Sequence, residues 1–219
     1  MHIPDGYLDP WMVLITFLLT GGYAAVAYKR MGSLSMERVS FLSSFAAGIF
    51  VAQMLNWPLP GGTSLHLVGG GLAGILLGPY LGFLAMSLVL VIQCIVFHDG
   101  GVTALGANIL NMAILGVVTG YIAYKIAISV VGKNSRGRFI GGFLAGWLGI
   151  VVAGLACGIE IGFSTYFGFN LDVTVPIMVS WHATLGVIEG LITAFIIEYI
   201  YSRNPKYILS GGVEDDGLG

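Results

Sequence analysis

Apolar residues fall along this chain in long unbroken blocks, with polar residues confined to short stretches between them. The blocks approach the ~20 residues that a helix needs to cross a bilayer. They predict seven membrane-spanning helices near residues 10–28, 38–56, 66–79, 80–97, 104–125, 138–163 and 179–201. The third block is short and meets the fourth at Gly78-Pro79, a pair that also suits a kinked helix or a re-entrant segment. The expected fold is an all-α membrane protein, with residues 1–219 as a single integral membrane domain. Residues 1–9 precede the first helix, and residues 210–219, with Glu214, Asp215 and Asp216 among glycines, read as a disordered cytoplasmic tail.

Composition sharpens that picture. Of 219 residues 57% are hydrophobic and only 9% charged, against ~25% charged in a soluble domain. The 34 glycines suit closely packed transmembrane helices. Cys94 and Cys157 both lie inside apolar blocks and read as buried thiols, with no spacing that suggests a metal site.

Charge then orients the chain. With seven crossings, Lys29, Arg30, Arg38, Lys125, Lys133, Arg136, Arg138, Arg203 and Lys206 all fall on one side, and these are all nine basic residues. The positive-inside rule makes that side cytoplasmic, so Met1 is expected outside and Gly219 inside. Residues 1–10 carry no Lys or Arg and no small-residue cleavage site follows, so Met1 is expected to remain the first residue. The same topology puts His2, His66, His98 and His182 toward the outer face.

The opening Met1-His2-Ile3-Pro4-Asp5-Gly6 carries the candidate chemistry. The Met1 amine, the His2 amide nitrogen and the His2 Nδ1 can close adjoining five- and six-membered chelate rings. Three coplanar nitrogens leave one corner open, the geometry of Ni(II) and Cu(II). Ile3-Pro4-Asp5-Gly6 has the form of a stiff turn that would fix the dipeptide's direction. His66, after the Gly- and Pro-rich stretch Trp57 to Leu65, is the candidate fourth ligand, with capping of a helix as its bland alternative.

Asp99 and Asn108 are candidates to support a ligand histidine by accepting its spare N–H, and Ser64 is a further supporting candidate. Helix capping and interhelical hydrogen bonding are the competing roles of Asp99, Asn108 and Asn111. Glu160 and Glu189 lie within apolar blocks, where a carboxyl group is costly, and Glu189 follows His182 by seven residues on nearly the same helix face. A metal path, a proton relay and interhelical hydrogen bonding all remain open for them. Chemistry that needs a phosphate-binding loop or an H-E-x-x-H zinc motif is unsupported, so the chain reads as no enzyme and ATP hydrolysis would fall to partners.

These residues resemble the CbiM/NikM family of substrate-binding membrane subunits in nickel and cobalt energy-coupling-factor transporters. The resemblance rests on Met1 to Gly6, on Pro60-Gly61-Gly62-Thr63-Ser64-Leu65-His66, and on Asp99 to Asn108, and it extends over the whole chain, looking more like the nickel branch. It implies a six-helix core plus one extra N-terminal helix, with the N-terminal loop plugging a central cavity. It also implies a planar site from Met1, His2 and His66, with Ni(II) or Co(II) as substrate and no cofactor. The implied partners are a transmembrane coupling subunit, ATPase subunits and a small companion membrane protein in a prokaryotic cell membrane. The rivals are a stand-alone proton-coupled secondary transporter and a subunit for an organic vitamin. Both imidazoles must be unprotonated to bind, so metal affinity is expected to fall as pH drops through ~6.5, the ordinary histidine value.

Overall fold

A computed structural model of the chain describes residues 1–59 and 63–208, without the side chains of 57–59, 63–65 and 206. Among the described residues six long helices dominate: α1 Pro10–Met31, α2 Met36–Gln53, α3 Gly70–Phe97, α4 Leu105–Val131, α5 Ser135–Phe163 and α6 Leu171–Arg203. All but α2 are long and apolar enough to cross a membrane. A short antiparallel pair, β1 Trp57–Leu59 with β2 Thr63–Leu65, fills the stretch read as loop.

Local sequence sets the helix ends. Ser35 accepts from the amide of Arg38 to start α2, and Asn134 accepts from that of Gly137 to start α5. Pro10 opens α1, where its missing N–H is no loss. The last helix begins at Leu171, eight residues before its expected start at 179, because it continues through Pro176 to an Asn170 cap. The proposed tail at 210–219 lies outside the described residues.

The third and fourth expected spans meet in α3, which is no straight rod. Gly78 interrupts it with φ 74° and ψ 179°, a conformation that glycine adopts freely. A Cβ on Gly82 would lie 3.0 Å from the carbonyl oxygen of Ala73, nine residues back. Nine residues of continuous helix would span ~13 Å, so the chain reverses at Gly78-Pro79 and α3 is a helical hairpin of arms 70–77 and 79–97. The first arm is a buried half-length helix, and it stands where the short third span was expected over 66–79. It fits because glycines let backbones touch: a Cβ on Gly71 would collide with the Ala145 carbonyl of α5.

Apolar side chains face both ways, as expected in lipid. Ile75, Met86, Leu90, Met112 and Ile150 fill the interior, whereas Leu14, Leu18, Ile95, Phe195 and Tyr199 are exposed on the outside. The basic ends of α1 and of the α5–α6 pair, where Arg138 bonds Glu198, lie opposite the end occupied by residues 1–9.

Candidate metal centre

The first nine residues fold into the bundle and close one of its ends. Asp9 anchors their far side: its carboxylate accepts from the backbone amides of Thr165 and Tyr166 and from the Thr165 hydroxyl, all in the loop between α5 and α6. Asp5 anchors the middle against the α3–α4 loop, accepting from the amides of Val102 and Thr103 and from the Thr103 hydroxyl. These bonds, those from Thr103 first, hold the Asp5 carboxyl below its usual range. Gly101 has no side chain, which lets the backbone of Pro4 and Asp5 lie directly on it. Ile3 is held from both sides: its amide donates to Asn108 Oδ1 at 2.8 Å, while its carbonyl accepts from Gly101 N at 2.8 Å and Asn108 Nδ2 at 3.2 Å.

This latch delivers Met1 and His2 to the interior. Met1 is 4% exposed and the His2 side chain 5%. Burial pulls the Met1 amine below its ordinary pKa. Burial, helped by the neighbouring amine, brings the His2 ring down to about 4. Both shifts favour the neutral nitrogen, the form with a lone pair to give.

Hydrogen bonds decide which lone pairs face the site. His2 Nε2 donates to Gln93 Oε1 at 3.1 Å, which leaves Nδ1 unprotonated. That Nδ1 is buried without a hydrogen-bond partner among the described residues, 3.5 Å from Asp99 Oδ1. His66, 2% exposed, donates from Nδ1 to the carbonyl of Leu67 at 2.8 Å, and its buried Nε2 has no partner among the described residues. The two rings stack, with centroids 4.7 Å apart and planes 28° from parallel.

His66 stands on extended chain inside a helical protein, so its neighbours' backbone groups need partners. Glu189 of α6 accepts from the amides of Val68 at 2.8 Å and Gly69 at 2.9 Å. Gln53 of α2 donates to the Val68 carbonyl at 2.7 Å. The segment is thus pinned along both edges. A cavity of about 530 Å³ flanks the amino terminus, lined mainly by apolar groups that include Ile161, Phe167, Phe169 and Met178, with Cys157 beside Met1.

Met1, His2 and His66 thus come together, with Asp99 at the edge of the group. Asn108 gives its amide to Ile3, and the spare N–H groups of the histidines go to Gln93 and Leu67 instead. Ser64 falls in β2, and its side chain lies outside the described residues. His98 sits exposed at the C-terminal cap of the α3 hairpin. Asn111 pairs with Glu160 at 2.6 Å inside a π-helical turn of α4, Ile109–Leu115. Gln93, Gln53 and the backbone role of Glu189 were missed, although a lone glutamine in an apolar block is itself a signal that a buried partner exists.

Fold and site together define a multi-pass membrane protein with nitrogen donors gathered inside one end of a helical bundle. The chain belongs to the CbiM family: residues 2–207 match the family described as the cobalt uptake substrate-specific transmembrane region. It is 51% identical over 208 residues to a NikMN chain of Archaeoglobus fulgidus, covering 95% of this chain and 68% of that one. It is 36% identical over 221 residues to the fused nickel transport protein NikMN of Rhodobacter capsulatus, covering 95% of this chain and 64% of the relative. Its fold matches the crystal structure of a transition metal transporter with a TM-score of 0.86 at 33% identity, covering 94% of each chain.

Proposed function

We propose that this chain captures Ni(II), and Co(II) less selectively, at the outer face of a prokaryotic cell membrane and presents it for ATP-driven import. The ligands are the Met1 amine, the His2 amide nitrogen and Nδ1, and His66 Nε2, in one plane. What supports the proposal is the pair of bare ring nitrogens: hydrogen bonding leaves His2 Nδ1 and His66 Nε2 unprotonated and buried beside a buried amine, with no partner among the described residues. Ligand nitrogens of a planar complex radiate from one centre, so the His2–His66 stack opens when the ion arrives. Gln93 and the Leu67 carbonyl then act as the outer supports that fix each ring's tautomer. Asp99, near His2 Nδ1, offsets the positive charge of the ion.

The proposal includes seven crossings, counting the short arm 70–77 with its extended lead-in as the third, with Met1 outside and residue 208 on the cytoplasmic side. The separation of the basic residues from the Met1 end supports this direction. Glu189 gives both oxygens to the His66 segment and Glu160 one oxygen to Asn111, which favours a packing role for them over a proton path. Partners, namely a membrane coupling subunit, ATPase subunits and a small companion membrane protein, supply the energy. The two NikMN relatives, being longer than this chain, are compatible with a companion segment joined in one polypeptide.

The test is the absorbance spectrum of the purified protein with Ni(II). A yellow diamagnetic species should form at one ion per chain. It should be lost in His2→Ala, in His66→Ala and in a variant with one residue added before Met1. A yellow species surviving the added residue would sink the amine-ligand assignment.

A further inference from the structure

A second imidazole in the core carries the same signature as His66. His182 on α6 is fully buried, and its Nδ1 donates to the Met178 carbonyl at 2.6 Å. Its Nε2 therefore holds a lone pair, and that atom is buried with no hydrogen-bond partner among the described residues. A buried acceptor left without a donor lowers stability, and a leucine or phenylalanine would fill the same space without that cost. The cost calls for a function.

The position of the ring suggests which one. His182 packs into a notch left by Gly154 of α5, where a Cβ would lie 2.7 Å from its Cγ. About one turn toward the Met1 end of that helix, Cys157 Sγ lies 3.9 Å from the Met1 carbonyl. Two turns the other way along α6, Glu189 holds the amides of Val68 and Gly69, just after His66. His182 therefore lies on the inward side of the amino terminus, between it and the segment that Glu189 holds just after His66. His66, His182 and the Met1 amine all lie within electrostatic reach of one another.

We propose that His182 Nε2 is a further metal ligand, forming with His66 Nε2 an inner two-imidazole station that takes the ion as it leaves the N-terminal chelate. This rests on the planar site proposed above. Neutral imidazole suits Ni(II) and Co(II) alike, and two such ligands without a chelate ring hold an ion weakly enough to pass it on. His66 belongs to both stations, so the ion keeps one protein bond while Met1 and His2 let go. Nothing about the inner station demands planarity, so the station admits either metal where the outer site discriminates.

The experiment uses the full chain in detergent, with Co(II) and Ni(II) chloride as probes. Adding a residue before Met1 should abolish the yellow planar species yet leave Co(II) binding at least 100-fold weaker than in the parent protein. Introducing His182→Gln into that extended protein should remove the residual binding, while its thermal transition reports that the bundle is intact. Should His182→Gln unfold the protein, X-ray absorption on Co(II) bound to the extended protein decides alone, with two imidazoles expected. Residual binding indifferent to His182, no residual binding, or fewer than two imidazoles would overturn the inner station. A yellow species persisting in the extended protein would instead overturn the planar site, so the two failures are distinct.

Discussion

Asn108 and Ile3, 105 residues apart, pair as two strands of a sheet would: the Asn108 side chain accepts from the Ile3 amide at 2.8 Å and donates to the Ile3 carbonyl at 3.2 Å. One side chain thereby meets both polar groups of the residue that follows the proposed ligand His2. Asn108→Ala should leave the Ile3 amide buried without a partner and loosen the N-terminal latch. Expected is a drop in Ni(II) affinity of about 10- to 100-fold, the usual cost of losing an outer support, measured by competition with a chelator. An unchanged affinity would show that Gly101 and Asp5 suffice.

Gln93 sets the tautomer of His2. Gln93→Leu removes the acceptor for Nε2–H and allows the proton to move to Nδ1, the proposed ligand atom. Affinity should fall by about 10-fold, whereas Gln93→Glu should retain the orientation and keep most of the binding. Equal behaviour of the two variants would contradict the tautomer argument.

Burial changes the pH dependence expected from ordinary histidines. With the His2 ring brought down to about 4, proton competition at that ring sets in as pH falls toward 4, well below the ~6.5 of a free ring. The Met1 amine is also lowered, so it gives up less proton on binding than an ordinary amine would, and the His2 amide proton makes up more of the release. Calorimetry at pH 7 in buffers of different ionisation enthalpy should return fewer than two protons released per ion. About two would mean that the amine is protonated before binding, as an exposed one is.

Glu189→Gln exchanges one carboxylate oxygen for an NH2 that faces an amide donor of Val68 or Gly69. The His66 segment should lose one of its two anchors on that edge. We expect a lower thermal midpoint and about 10-fold weaker Ni(II) binding. Full binding with a lowered midpoint would assign Glu189 to stability alone.

At Gly71 even a methyl group has no room, since α5 presents the Ala145 carbonyl there. Gly71→Ala should cost about 1–3 kcal/mol through overpacking, read as a lower thermal midpoint, with the neighbouring Gly69→Ala adding backbone strain from its φ of 77°.

Much of this was legible in the sequence because two kinds of signal are local. Apolar blocks marked α1, α2, α4 and α5 nearly in place, and chelate geometry marked as candidate ligands Met1 and His2, which the fold buries. Chain reversal at Gly78 was only half legible: Gly-Pro marks a break, but whether a helix bends or doubles back depends on Gly82 meeting Ala73. The supports of the histidines were the least legible part. A histidine's tautomer is set by whatever acceptor tertiary packing brings, and nothing in sequence spacing links His2 to Gln93 or His66 to its own neighbouring carbonyl. Asn108 was read as an acceptor for a histidine N–H, whereas its amide bonds the backbone of Ile3.

The proposed ligands stand at the two ends of a stretch of about 64 residues that contains α1, α2 and the β1–β2 pair. An ion bridging His2 to His66 would therefore act as a removable cross-link, closing a long ring of chain much as a disulfide does. Cargo and staple would be the same atom, so a loaded protein should resist heat and proteolysis better than an empty one, and each delivery would return the chain to its looser form.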